Sequence, residues 1–127
     1  MNLLLDTHAL IWFSENDPKL SQNAKAAIES PDNNLFVSMA SFWEMAIKLN
    51  LSKLTLQIPL AQIIPALSAN GFNLLGIESD HILKIETLPR IHGDPFDRML
   101  IAQALSDGLT IVSKEELFEE YGVGRVW

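Results

Sequence analysis

The chain predicts an α/β fold: a compact three-layer sandwich with a mostly parallel central sheet of four to five strands between helices, in a single domain over residues 1–127. Three observations carry this. Short continuous apolar runs such as Leu3-Leu4-Leu5 read as strands covered on both faces. Helix-like segments alternate with them, which implies parallel strands joined by right-handed crossovers. Hydrophobic residues make up 48% of the 127, enough for one real core, and no linker, repeat or low-complexity stretch divides it.

Taken in order, Asn2 to Leu5 is the first strand, and Asp6 ends it. Thr7 either caps the next helix or aims a hydroxyl at the same place as Asp6. Ala9 to Phe13 is helical, Ser14 to Pro18 breaks the pattern, and Ser21 caps a second helix reaching Glu29. A turn at Pro31-Asp32-Asn33-Asn34 leads into the second strand, Leu35 to Ser38. The next helix, Ser41 to Leu49, carries Phe42, Trp43, Met45, Ala46 and Ile47 on its apolar sides and Glu44 in its early turns. Asn50 to Ile58 mixes strand-like alternation with the character of an extended connector. Leu60 to Asn70 is helical, with a kink or break expected near Ile64 because Pro65 removes a backbone donor. Gly71 suits the end of that helix. Phe72 to Ile77 is a third strand, Ser79 opens a short helix to Thr87, and Pro89 to Gly93 forms a loop.

His92 to Ala104, HGDPFDRMLIAQA, is the most informative stretch. Pro95 fits the first helical position, and Asp94 three residues before Asp97 reads as an N-cap with an acid at N3, favourable to the helix dipole. The apolar residues after Asp97 leave almost no polar face, so the helix is buried and its open end is the carboxylate end. It stops at Asp107-Gly108. Leu109 to Val112 is the fourth strand, Glu116 to Tyr121 a helix, and Gly122 to Trp127 a short edge strand.

Composition excludes several classes of function. No apolar run reaches the roughly 18 residues of a membrane span, and Met1 leads straight into a strand-like segment, so a soluble, unexported, cytoplasmic protein is expected. Without cysteine there are no disulfides, thiolate metal sites or cysteine nucleophiles. A net charge of −7 with nine scattered Lys and Arg opposes a standing nucleic-acid platform. It leaves two uses for the acids: a solvated surface, or a pocket neutralised by divalent metal.

Asp6, Glu44, Asp94, Asp97 and Glu115 all fall at strand ends or helix starts on one edge of such a sheet, where open α/β sheets place their ligands. Gathered carboxylates repel unless compensated. Mg²⁺ or Mn²⁺ compensates them with oxygen ligands while keeping waters and room for substrate phosphate, and the matching reaction is phosphodiester hydrolysis. Each acid also has an ordinary reading. Asp94 is a cap, and Glu44 precedes Lys48 by four residues, the favourable order for a surface pair.

LLDTHALIW at 4–12, FWEMAIK at 42–48, HGDPFDRMLIAQA at 92–104 and IVSKEELFEEYGV at 111–123, in that order and spacing, resemble a PIN-domain protein of the VapC toxin type across essentially the whole chain. The resemblance implies a PIN-like sandwich and a Mg²⁺- or Mn²⁺-dependent ribonuclease, commonly a homodimer, held inactive by a cognate antitoxin. It makes Asp6 the first acid, Glu44 the second and Asp97 the third, with Asp6 and Asp97 the main metal ligands and Thr7 the hydroxyl residue beside the first. The fourth acid, usually aspartate, is the longer Glu115, and Asp94 is an extra acid placed as cap first and ligand second. The alternatives are a catalytically weak PIN-like binding or regulatory module, and aspartyl phosphoryl transfer. Asp6-Thr7-His8 lacks the second aspartate that the latter requires.

Among the remaining polar residues, His8 is expected to pack or be exposed, His81 to be exposed, and His92 to make a local hydrogen bond or approach substrate. Lys48 and Arg98 are placed to contact RNA phosphate or, more simply, to pair with Glu44 and Asp97. Trp12, Trp43 and Trp127 are candidates for base stacking, with core or subunit packing expected for Trp12 and Trp43.

Overall fold

The computed structural model describes residues 1–127. Five strands, β1 (Asn2–Leu5), β2 (Asn34–Ser38), β3 (Asn73–Leu75), β4 (Thr110–Val112) and β5 (Arg125–Val126), form one sheet in the order β3-β2-β1-β4-β5. Every neighbouring pair is parallel. Six α-helices accompany them: α1 (Thr7–Ser14), α2 (Gln22–Glu29), α3 (Met39–Asn50), α4 (Leu60–Ala69), α5 (Ser79–Glu86) and α6 (Pro95–Asp107). No helix is long and apolar enough to cross a membrane.

β1 shows why the sheet is covered on both faces. Successive side chains of a strand point to opposite sides. Leu3 and Leu5 enter one core with Leu10, Ile28, Val37, Phe42, Met45 and Leu67, while Leu4 enters the other with Leu100, Ile101, Ile111 and Phe118. All three leucines are fully buried. The first core takes its side chains from α1 to α4, the second from α6 and the 3-10 turn at Glu116–Tyr121, which gives the three layers.

The strand order reverses at β1, with β2 and β3 on one side and β4 and β5 on the other. The carboxyl ends of β1 and β4 therefore bound the crevice where such a sheet opens to ligands. Asp6 follows one strand and Ser113 the other, and the Asp6 N–H donates to Val112 O at 3.1 Å.

The structure differs from the sequence expectations at several elements. α1 begins at Thr7, two residues early, because Asp6 caps it: its carboxylate accepts the Ala9 N–H at 2.8 Å. α4 runs unbroken through Pro65. Pro65 and Ala61 both lie on the exposed side, where the carbonyl that loses its donor stays open to water. The stretch 50–58 forms neither helix nor strand beyond the last residue of α3, and its Leu54 and Leu56 pack half-buried against the first core. β3 is shorter than Phe72–Ile77, and Glu116–Tyr121 winds as a 3-10 helix with no side-chain cap, common for so short a piece. α6 ends as expected, with Gly108 in the left-handed region at φ 67°.

Candidate functional site

Asp6 is 4% exposed at the end of β1. Its capping role fixes one carboxylate oxygen toward the start of α1, and Thr7 points back toward α3. The Thr7 hydroxyl donates to Glu44 Oε1 at 2.7 Å and shares a second hydrogen bond, 3.1 Å, with the Ser41 hydroxyl. Glu44 is also buried, and its other oxygen takes the Lys48 ammonium at 2.6 Å. Both Glu44 oxygens are thus held by named donors. Burial pushes the Asp6 carboxyl above its ordinary value, partly offset by hydrogen bonds from Ser113 and the Ala9 N–H, while the charge of Glu115 raises it further.

Across the crevice, Asp94 caps α6 as expected, its Oδ1 accepting the N–H groups of Phe96 at 2.8 Å and Asp97 at 3.1 Å. The Asp97 carboxylate receives His92 Nε2 at 2.9 Å. Its pKa is raised to about 7. Desolvation is the largest cause; next comes the charge of Asp94, with Asp6 and Glu44 adding to it and His92 opposing them. The structure therefore brings Asp6, Glu44 and Asp94 near enough to Asp97 to act on its charge. No three His, Asp or Glu side chains close into a group able to hold an ion. The donor chemistry nonetheless fits a hard divalent cation: buried carboxylate oxygens dominate, and a cation would relieve their mutual repulsion.

Glu115 stands at the solvent side of this group, near enough for its charge to act on Asp6. It is exposed, and its backbone N–H donates to the fully buried Ser113 Oγ at 2.9 Å, so Ser113 takes the inner place beside Asp6. His8 is exposed, its ring 5.5 Å from that of Trp12. His81 contradicts the expected exposure: it is 1% exposed. It accepts the Glu78 N–H at Nδ1 and meets Asp107 with Nε2 at 3.0 Å, tying α5 to the end of α6.

Lys48 makes the expected pair. Arg98 pairs with neither acid and is not left free for phosphate, because its guanidinium donates to the carbonyls of Leu88, Pro89 and His92. Trp43 is 59% exposed, outside the core, with its ring edge-on to Phe96 at 5.2 Å. Trp12 and Trp127 are half-buried against each other and the first core. Ser41, Ser113 and Tyr121 are polar participants that the sequence alone did not single out. A hydroxyl directly after β4, in register with an acid directly after β1, was the available sign for Ser113.

Comparison with known proteins agrees with this fold. The model of the PIN domain family matches residues 3–124. Ribonuclease VapC22 of Mycobacterium tuberculosis is 32% identical over 114 residues, covering 89% of this chain and 86% of that protein. Among solved structures, VapBC2 from Rickettsia felis bound to a DNA fragment from their promoter superposes with a TM-score of 0.70 at 13% identity, over 98% of this chain and 97% of the other. A toxin–antitoxin complex from Klebsiella pneumoniae gives 0.60 at 22% identity, over 89% and 86%. With a parallel sheet, its acids at the switch point and a family match along nearly its whole length, the chain belongs to the PIN domain family.

Proposed function

We propose that the protein is a Mg²⁺- or Mn²⁺-dependent endoribonuclease, the toxin of a toxin–antitoxin pair, working in the cytoplasm as a homodimer restrained by a cognate antitoxin. The observation that carries this is Asp97, a carboxyl pushed up to about 7 by burial and by three neighbouring acids at the carboxyl edge of the sheet. The relative named as a ribonuclease supports the activity, and the likeness to a toxin–antitoxin complex supports the protein partner.

Asp6 and Asp97 would be the principal metal ligands, with Asp94 and Glu115 as further candidates. Glu44 would complete the shell or orient the attacking water, its carboxylate steadied by Thr7 and Lys48. When bound, the metal supplies a Lewis acid that lowers the pKa of water and stabilises charge on the phosphate. Because the chain is acidic, that positive charge also makes the site attractive to RNA. The test is cleavage of structured RNAs with and without Mg²⁺ by the native protein, Asp6→Ala and Asp97→Ala. Metal-dependent cleavage lost in both variants is expected; full activity in either overturns the assignment.

A further inference from the structure

The loop between α5 and α6 is held more tightly than a connector requires. Tyr121 accepts the N–H groups of Ile91 at 3.0 Å and His92 at 2.7 Å, and donates to Pro89 O at 2.8 Å. Arg98 reaches back from the first turn of α6 to Pro89 O at 2.9 Å, His92 O at 3.1 Å and Leu88 O at 3.2 Å. Leu88 is itself seated in the second core. Six hydrogen bonds from two side chains thus converge on four of the five residues from Leu88 to His92.

The imidazole is then set by its own contacts. Its Nδ1 accepts the Asp94 N–H at 3.1 Å. A neutral ring whose Nδ1 accepts carries its proton on Nε2, and that nitrogen faces Asp97 Oδ2 at 2.9 Å. The ring of the fully buried Phe118, 6.3 Å away, flanks it. A closed circuit results: the Asp94 N–H fixes the ring, the ring donates to Asp97, and the Asp97 N–H returns to Asp94 Oδ1.

We infer that His92 is a positioning residue for the proposed metal site: clamped by Arg98 and Tyr121, it holds one Asp97 oxygen with its Nε2–H and so aims the other at a divalent cation. This rests on the ribonuclease reading only in taking Asp97 as a ligand. Hydrogen bonds of this kind to a liganding carboxylate commonly change metal affinity about 10- to 100-fold.

The test is Mn²⁺ affinity, measured by calorimetry and by the electron paramagnetic resonance of free Mn²⁺, on native protein, His92→Phe, His92→Gln, Tyr121→Phe and Asp97→Ala. Each is checked for cooperative thermal unfolding. His92→Phe keeps ring packing and loses the donor, and affinity is expected to fall about tenfold or more. His92→Gln returns an N–H near the Nε2 position and is expected to recover most of it. Tyr121→Phe is expected to fall between native and His92→Phe. In metal-free native protein at about pH 8, nitrogen NMR is expected to show the Nε2–H tautomer. Native affinity in His92→Phe, no recovery in His92→Gln, or an Nδ1–H tautomer overturns the inference. Unchanged Mn²⁺ binding in Asp97→Ala instead removes Asp97 as a ligand and overturns the underlying reading.

Discussion

Asp97→Asn is expected to make the metal-free protein more stable while abolishing its proposed activity. The carboxyl sits at about 7 in the folded chain against an ordinary value of 3.8. Since the folded value is the higher, the folded state holds the proton longer, and the stability present below about pH 4 is lost as pH rises toward 7. The full difference corresponds to about 4 kcal/mol at pH 8, a ceiling because water reaches 23% of the side chain. Solvent screening brings the expected gain on neutralisation to about 2 kcal/mol. Asparagine keeps an oxygen for His92 Nε2–H, so no buried donor is orphaned. Urea denaturation in excess chelator, at about pH 8 and pH 4, measures this directly. At about pH 4 the same carboxyl is protonated when folded and about half protonated when unfolded, so the gain shrinks to about 0.5 kcal/mol. A variant no more stable than the native chain at the higher pH, or equally stabilised at both, would refute the reasoning.

Mg²⁺ or Mn²⁺ is expected to reverse the same pH trend: at about one hundred times its dissociation constant, the ion adds about 2.7 kcal/mol at pH 8, and chelation removes it. Equal stabilisation at about pH 8 and pH 4, read by thermal unfolding, would contradict binding through ionised Asp97. Thr7→Val deletes the 2.7 Å donor to Glu44 at constant shape and is expected to cost about 1.5–3 kcal/mol, as for a hydrogen bond to a charged group. Urea midpoints check this, and an unchanged midpoint would show that Lys48 alone satisfies the carboxylate.

Much of this architecture was legible because it rests on local pattern. Leu3-Leu4-Leu5 has the continuous apolar run of a strand covered on both faces, and Asp94-Pro95 with Asp97 announces a helix start from three residues. The acids were legible for the same reason: each falls just after a strand or in the opening turns of a helix. What escaped is carried by hydrogen bonds between distant, non-periodic positions, such as Tyr121 with His92, 29 residues apart. Arg98, next to Asp97 in sequence, was expected at phosphate or acid because proximity was the only guide, yet its reach serves the backbone of the preceding loop. α5 runs against hydropathy altogether. His81 turns inward to meet Asp107, leaving Ile82 and Leu83 57% and 61% exposed, an orientation that the composition of the helix argues against and its partner at the end of α6 decides.

The departure from the expected acid after β4 has a physical reading in the same terms. Ser113, directly in line after β4, occupies the buried place beside Asp6, and the Glu115 N–H donates to its hydroxyl oxygen, which leaves the hydroxyl proton free for the Asp6 carboxylate. Glu115 itself is exposed, so its charge reaches Asp6 through a partly aqueous path where interactions are weakened. Its side chain acts on Asp6 by raising that carboxyl's pKa, whereas its backbone acts by orienting the serine that lowers it. The two influences oppose each other from one residue. Shortening Glu115 to aspartate changes only the first, because the N–H to Ser113 belongs to the main chain.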